Sequence, residues 1–313
     1  MEIPGIHHVT AVAGDAQRNV DFYAGVLGMR LVKRTVNHDD PTVYHLYYGD
    51  AAGRPGSLLT FFARPGAPRG RLGTGMAAHV ALRIPPDAAG YWADRLARRG
   101  IATARLNVRG RGEVIAFNDP DGLSVALVAC PGRDGLPPWD GGPVPPRRAV
   151  RGIFGVTLLV KRAADTAAFL GMLGVRVRTG WGTRFRCVAG DGRPGTTIDV
   201  AELPVLPAGT VSAGSIHHVA LRAPGDAAQE IWRDAIAAAG VAVTPVIDRT
   251  YFRSVYFREP GGALLEIATD GPGFAVDEPI GDLGSDLKFP ESLAPAADRL
   301  RRRLPPLRLP RAA

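Results

Sequence analysis

Apolar and polar positions follow one order several times along the chain: a short β-branched run, a stretch with apolar residues at helical spacing, then three further strand-like runs. In the last of these stretches Ala228, Ile231, Trp232 and Ala235 fall on one face of a predicted helix that Gly240 ends. Asp119-Pro-Asp-Gly122 and Glu259-Pro-Gly-Gly262 carry turn residues and close hairpins between the last two strands of their stretches. Each stretch therefore reads as βαβββ.

Four such units align with one another, spanning 6–62, 78–130, 152–203 and 216–270. His79-Val-Ala-Leu-Arg83 of unit two is echoed by His218-Val-Ala-Leu-Arg222 of unit four. Val20-Asp-Phe-Tyr-Ala-Gly-Val-Leu-Gly-Met29 of unit one is echoed by Ala167-Ala-Phe-Leu-Gly-Met-Leu-Gly-Val175 of unit three. One unit cannot cover its sheet face alone, so units must pair and curl their sheets into cups. The expectation is an α+β protein in which four βαβββ modules form two cup-shaped mixed β-sheets. Residues 1–130 form an N-terminal domain of two units and 152–270 a C-terminal one. The Gly/Pro-dense stretch 131–151 is a linker, and 271–313 is an extension ending in a basic, Pro-rich tail.

Composition narrows the class. With 313 residues, 46% hydrophobic and 22% charged, the chain is long enough for two ordinary cores and too apolar for disorder. Cys130 and Cys187 have no CxxC partner, which argues against a disulfide scaffold or zinc cluster and suits a reducing compartment. No run of 18 apolar residues and no cleavable leader pattern is seen, so a cytoplasmic protein without a membrane partner is expected. The net charge of +8 would invite a nucleic-acid reading. However, Arg299, Arg301, Arg302, Arg303, Arg308 and Arg311 all lie in the terminal tail, which reads as a solvated terminus or a packing arm.

The candidate chemistry lies in two His-His pairs, His7-His8 and His217-His218, at equivalent places in units one and four. Glu266 is an acid inside the apolar run 263–268. Two imidazoles and a carboxylate, with positions left open on the metal, suit non-haem Fe(II) and oxygen chemistry. A lone His in an apolar strand is more often a satisfied core residue, and a lone Glu can point outward on an alternating strand. Two His at repeat-equivalent positions together with the acid favour ligands. In the alignment Glu266 falls at Thr60, Ala126 and Asp199 of the other units, and His8 and His218 fall at His79 and Gly155. A full triad exists only if units one and four share a cup, and His79 and Asp199 are then structural. His38 and His45 are expected at the surface or a pocket rim. Gly70-Arg-Leu-Gly-Thr-Gly75 lacks the spacing of a phosphate loop and reads as a mobile connection. No Ser-His-Asp arrangement with a nucleophile elbow is visible.

With these residues in hand, the chain resembles the vicinal oxygen chelate superfamily. Gly5-Ile-His-His-Val-Thr10, the run from Asn19 to Thr35 ending in Lys33-Arg34-Thr35, Val43-Tyr-His-Leu-Tyr-Tyr48 and Gly284-Ser-Asp-Leu-Lys288 are similar to the ring-cleaving hydroquinone dioxygenases. The resemblance covers about residues 5 to 290 and leaves out the basic tail. It implies Fe(II), with Mn(II) as a substitute, held by His8, His218 and Glu266. It also places His7 and Thr10 beside the first ligand, His217 beside the second, and Arg249 and Tyr256 on the strands leading to Glu266. The implied partners are a small aromatic diol and O2, in a protein free to form homo-oligomers, and the implied reaction is extradiol-type ring cleavage. His217 would act as acid or base, and Tyr256 and Arg249 would orient a phenolate and stabilise negative charge. Without the resemblance, Arg249 reads as a solvated loop residue and Tyr256 as a packed strand aromatic. Two rivals stay open: a glyoxalase-like lyase or isomerase, commonly with four protein ligands, and a metal-free binding protein of the bleomycin-resistance kind.

Overall fold

The computed structural model describes residues 2–108, 112–132 and 138–309. Part of the expected linker, 133–137, and the tail from 310 on, including Arg311, lie outside the described residues. Unit one contains β1 (Ile6–Ala13), α1 (Ala16–Val20) continued by a π-helical segment Asp21–Val26, β2 (Arg30–Val36), β3 (Tyr44–Gly49) and β4 (Leu58–Ala63). Unit two contains β5 (Met76–Ile84), α2 (Ala89–Ala97), β6 (Ala104–Val108), β7 (Gly112–Asn118) and β8 (Ser124–Ala129). Unit three contains β9 (Ile153–Val160), α3 (Ala163–Met172), β10 (Arg176–Trp181), β11 (Arg184–Val188) and β12 (Thr197–Glu202). Unit four contains β13 (Ser215–Ala223), α4 (Asp226–Ala238), β14 (Ile247–Asp248), β15 (Phe252–Arg258) and β16 (Leu264–Pro272).

The strands form two mixed eight-stranded sheets, ordered β14-β15-β16-β13-β1-β4-β3-β2 and β10-β11-β12-β9-β5-β8-β7-β6. The first and last units therefore share one sheet, joined by the antiparallel pair β1 and β13, and the two middle units share the other. Strand register reproduces the repeat alignment. In every unit the residue two beyond the His8 position lies opposite the Glu266 position: Thr10 opposite Thr60, Ala81 opposite Ala126, Thr157 opposite Asp199, and Ala220 opposite Glu266.

Side chains alternate across a strand, and the two faces of the first sheet have different covers. Val9, Ala11, Leu59, Phe61, Val219, Leu221, Leu265 and Ile267 join the main core. Their strand neighbours Leu58, Ala220 and Ala268 pack with Val32, Tyr47, Tyr251 and Phe252 in a separate cluster, into which the C-terminal extension inserts Phe274 and Leu283. Lys33, fully buried on β2, anchors the extension by ion pairs to Asp277 (2.5 Å) and Glu278. Arg34 adds a bond to Gly284 O (2.9 Å). Through residue 309 the extension packs on the protein by Leu300 and Leu304, with Arg301, Arg302, Arg303 and Arg308 exposed. α5 (Ala297–Arg303) buries Leu300, Tyr44 Oη donates to Pro305 O, and Gln17 exchanges two bonds with the backbone of Arg308.

The hairpin turns also tie units together. Asp119 accepts from the backbone N–H groups of Asp121 and Leu123 and from Tyr23 Oη of unit one. Glu259 accepts from Gly261, Ala263 and Thr166 Oγ1 of unit three.

Two expectations are corrected. The inward stripe of α4 is Gln229, Trp232 and Ile236, while Ile231 is 52% exposed. Gln229 sits inward because its amide NH2 donates to both Arg253 O and Ile267 O. The 70–75 segment is not a loose connection, because it pairs with 207–213 through Arg71–Thr210 and Thr74–Gly209 backbone bonds. A Cβ on Gly73 would stand 2.3 Å from Gly209 N, so this close approach requires glycine. Cys130 and Cys187 are buried and unbridged. Among the described residues no helix is long and apolar enough to cross a membrane.

Candidate metal centre

Because β1 and β13 are neighbours and β16 lies beside β13, the sheet brings His8, His218 and Glu266 to one face. His8 Nε2 is 3.3 Å from His218 Nε2 and 3.4 Å from Glu266 Oε2, and His218 Nε2 is 2.9 Å from the same oxygen. All three side chains are buried. Among the described residues they form the one cluster of three able to hold a metal ion. Glu266 Oε2 is buried and accepts no hydrogen bond although both imidazoles are close to it. Donors about 2.1 Å from one ion at octahedral to tetrahedral angles stand about 3.0–3.4 Å apart, so this triangle fits a divalent cation. Burial alone would raise the Glu266 carboxyl, but His8 and His218 more than offset it and hold it well below the usual range.

Each candidate ligand has a support that fixes its ring or carboxylate. His8 Nδ1 bonds His7 Nδ1 (2.9 Å) and His218 Nδ1 bonds His217 Nδ1 (2.8 Å), leaving both Nε2 atoms for the metal. Burial, then the neighbouring His, pushes His7 well below the usual imidazole range and His217 down to about 3, so both stay neutral. Ser254 Oγ donates to Glu266 Oε1 at 2.5 Å. Phe252 packs against both His7 and His8, and Phe62 against His217 and His218.

Thr10 joins a buried chain: its Oγ1 bonds Thr60 Oγ1 (2.8 Å), Thr60 bonds His45 Nε2 (2.9 Å), and His45 Nδ1 bonds Tyr47 Oη (2.9 Å). His45 was expected at the surface or rim. Instead it is buried with both nitrogens bonded, because β3 directs it toward Thr60. His38 is half-buried at the cleft edge.

The cleft above the triad has about 310 Å³ of empty volume and is lined by His8, His218, His45, Phe62, Phe252 and Tyr256, with Asn37, His38, Asp39, Tyr47 and Arg249. Of the other candidate residues, Arg249 and Tyr256 line it, whereas His7, Thr10 and His217 do not. Arg249 is no solvated loop residue: its side chain is 15% exposed. It stands 3.3 Å from Tyr256 Oη and 3.4 Å from Asp39, reaching across from unit four to the 37–43 loop of unit one. Burial lowers the Arg249 guanidinium, but Tyr256 and Asp39 more than restore it. Burial and Glu266 raise the Tyr256 phenol, so it stays protonated. In the second sheet the equivalent positions carry an exposed His79 and an Asp199 paired with Arg186 (3.0 Å).

A family model described as the Glyoxalase/Bleomycin resistance protein/Dioxygenase superfamily matches residues 5–127 and 152–267. The chain belongs to this superfamily. It is 40% identical over 302 residues to "Putative ring-cleaving dioxygenase MhqO" of Bacillus subtilis, covering 96% of each chain. It is also 30% identical over 316 residues to the chlorohydroquinone/hydroquinone 1,2-dioxygenase of Sphingobium indicum, covering 96% of this chain and 95% of the relative. The crystal structure of a Bacillus subtilis protein, described as a "putative dioxygenase", superposes with a TM-score of 0.94 at 39% identity over 99% of both chains. A glyoxalase I mutant from Zea mays shares the fold, with a TM-score of 0.64 at 16% identity over 86% of this chain and 95% of that one. In superfamily terms, the four units occupy two sheets of the vicinal oxygen chelate fold.

Ser254, Thr60, His45 and Tyr47 were not selected as site residues from the sequence. The repeat alignment held the signal for Thr60, which occupies unit one's version of the Glu266 position.

Proposed function

We propose that the protein is a ring-cleaving dioxygenase that opens a hydroquinone or related aromatic diol with O2, using Fe(II) held by His8, His218 and Glu266. The observation that carries this reading is Thr60. At the place where a fourth ligand would complete a symmetric site there is a hydroxyl already bonded to Thr10 and His45. The protein donor set stays at three, and two of its members, His8 and His218, line a cleft walled by Phe62, Phe252 and Tyr256. This arrangement favours an open site over a glyoxalase-like four-ligand one. The ring-cleaving relatives at 30–40% identity over nearly the whole chain support the same class.

Fe(II) bound there supplies open coordination positions and redox access to O2, which a closed-shell ion does not. The chain's own residues do the rest. Phe62 and Phe252 present aromatic walls that accept a flat ring and exclude water. Tyr256, protonated, donates a hydrogen bond to a substrate oxygen, and the cationic Arg249 beside it stabilises the negative charge that develops there. Asp39 fixes Arg249 from the opposite side of the cleft. His7 and His217, each engaged through Nδ1, act as positioning residues for the ligand imidazoles.

Protein purified without oxygen and loaded with Fe(II), Mn(II) or Zn(II) tests this. Fe(II) protein should consume one O2 per hydroquinone opened, and Zn(II) protein none. Failure of a panel of hydroquinones and catechols to drive O2 uptake, with isomerisation of a thiol adduct instead, would replace the reading with the glyoxalase one.

A further inference from the structure

The repeat that pairs the candidate metal ligands also pairs two tyrosines. Tyr256 on β15 lies opposite Glu266 of β16, and Tyr47 on β3 lies opposite Thr60 of β4, the unit-one counterpart of Glu266. Tyr47 is therefore to unit one what Tyr256 is to unit four. The corresponding cross-strand pairs of the second sheet are Ala116 with Ala126 and Arg186 with Asp199. Tyrosine thus stands at this position only in the two units that share the candidate metal centre. In the sheet order β15 and β3 lie two strands out from β13 and β1, on either side of the pair that carries His218 and His8. Both tyrosines line the cleft between them.

A packed strand aromatic needs no hydroxyl, and the ring of Tyr47 is already packed, edge to face with Phe274 at 5.1 Å and Tyr251 at 6.1 Å between ring centres. Its hydroxyl is held separately: Oη bonds His45 Nδ1 at 2.9 Å, and Thr60 Oγ1 holds His45 Nε2 at 2.9 Å. Burial keeps the His45 imidazole neutral, so it carries one ring proton. With that proton on Nε2, Tyr47 donates to Nδ1 and keeps lone pairs to accept with; with it on Nδ1, Tyr47 accepts and keeps its own proton to donate. Either tautomer leaves Oη able to make a further bond. Burial, Tyr256 and Glu266 all raise the Tyr47 phenol well above its usual range, so it stays a hydroxyl. Tyr256 has Arg249 Nε, a donor only, at 3.3 Å, which leaves its own proton to point elsewhere. The two oxygens of a 1,4-diol stand at opposite ends of the ring, whereas those of a 1,2-diol stand side by side. Two hydroxyl contacts from opposite flanks of one cleft match the first.

We propose that Tyr47 is a specificity-determining residue whose hydroxyl binds the second hydroxyl of a 1,4-diol, the first oxygen being held by Tyr256 and Arg249. The assignment rests on the aromatic-diol reading of this cleft. The test is calorimetric titration of the full-length, Zn(II)-loaded protein, under argon, with hydroquinone, with its 1,3-isomer resorcinol and with phenol, which lacks the second hydroxyl. The parent should bind hydroquinone about tenfold more tightly than either of the others, as one added hydrogen bond allows. Tyr47→Phe, which keeps the packed ring, should bind hydroquinone only as tightly as phenol. Tyr256→Phe should weaken all three ligands and keep the preference. No preference in the parent, or a preference that survives Tyr47→Phe, would overturn the proposal, and loss of phenol binding in Tyr47→Phe would overturn it in favour of a packing role. Binding needs no turnover, so the two readings fail separately. A protein that shows the Tyr47-dependent preference but consumes no O2 when loaded with Fe(II) keeps this assignment and loses the dioxygenase reading; O2 uptake with hydroquinone but no such preference does the reverse.

Discussion

Ser254→Ala tests how the carboxylate ligand is held. Ser254 is fully buried on β15, and its hydroxyl is the donor to Glu266 Oε1, the oxygen turned away from the imidazoles. Alanine keeps the strand and its pairing with Ala268, so the change removes one hydrogen bond to a buried charge and little else. Such a bond contributes about 1.5–3 kcal/mol. With tenfold in affinity for every 1.4 kcal/mol or so, metal binding should weaken by about ten- to a hundredfold, the range seen for residues that orient metal ligands. Titration with Mn(II) in a chelator buffer, read by electron paramagnetic resonance, measures this directly. Ser254→Thr, which keeps a hydroxyl, should restore most of the loss. If Ser254→Ala binds metal as tightly as the parent, Glu266 does not depend on this bond and the proposed ligand geometry is wrong.

His218→Ala and Glu266→Gln should each lose metal and O2 uptake while circular dichroism stays native, since the main core lies on the opposite sheet face. Thr60→Glu puts a carboxylate at the unit-one counterpart of Glu266. It should tighten Zn(II) binding and abolish O2 uptake by filling an open position, and retained turnover would contradict the assignment of Thr60. Lys33→Met leaves Glu278 buried without its cation, so urea unfolding should show a loss of about 3–5 kcal/mol, partly recovered by adding Glu278→Gln. Burial pushes Asp119 up to about 6, above its unfolded value near 3.9. The folded protein therefore binds the extra proton, and stability falls as pH rises through about 4 to 6. Measured against Asp119→Asn, the parent should lose up to about 3 kcal/mol across that window, and a flat difference would refute it.

The repeat pattern made much of this architecture legible. Placing Gly155 where units one, two and four have histidine predicted which units share the metal sheet, and the strand register agrees residue by residue. The supports were not legible, because they depend on which side chains meet across strands distant in sequence. Ser254 reads as one polar residue in an alternating strand until β15 lies beside β16. His45 reads as a loop-side imidazole until β3 pairs with β4 and brings Thr60 Oγ1 within 2.9 Å of its Nε2. The inward place of Gln229 on α4 was not foreseen, because its two carbonyl partners, Arg253 O and Ile267 O, lie on other elements. The extension had no periodicity to mark it, so the fit of Phe274 and Leu283 against the site-bearing face emerged only from packing.

The union of first and last units in one sheet also sets when the protein can be finished. His8 and His218 are separated by 210 positions, and Glu266 emerges later still, so a ribosome has made most of the chain before the site can close. The N-terminal half must hold β1 with one edge unpaired during that interval, a long-range wait of the kind that slows folding and exposes nascent strands to aggregation. Under the proposed function, metal uptake would act as a latch on the final step, since a cation bound to both ends of the chain favours the state in which they have met.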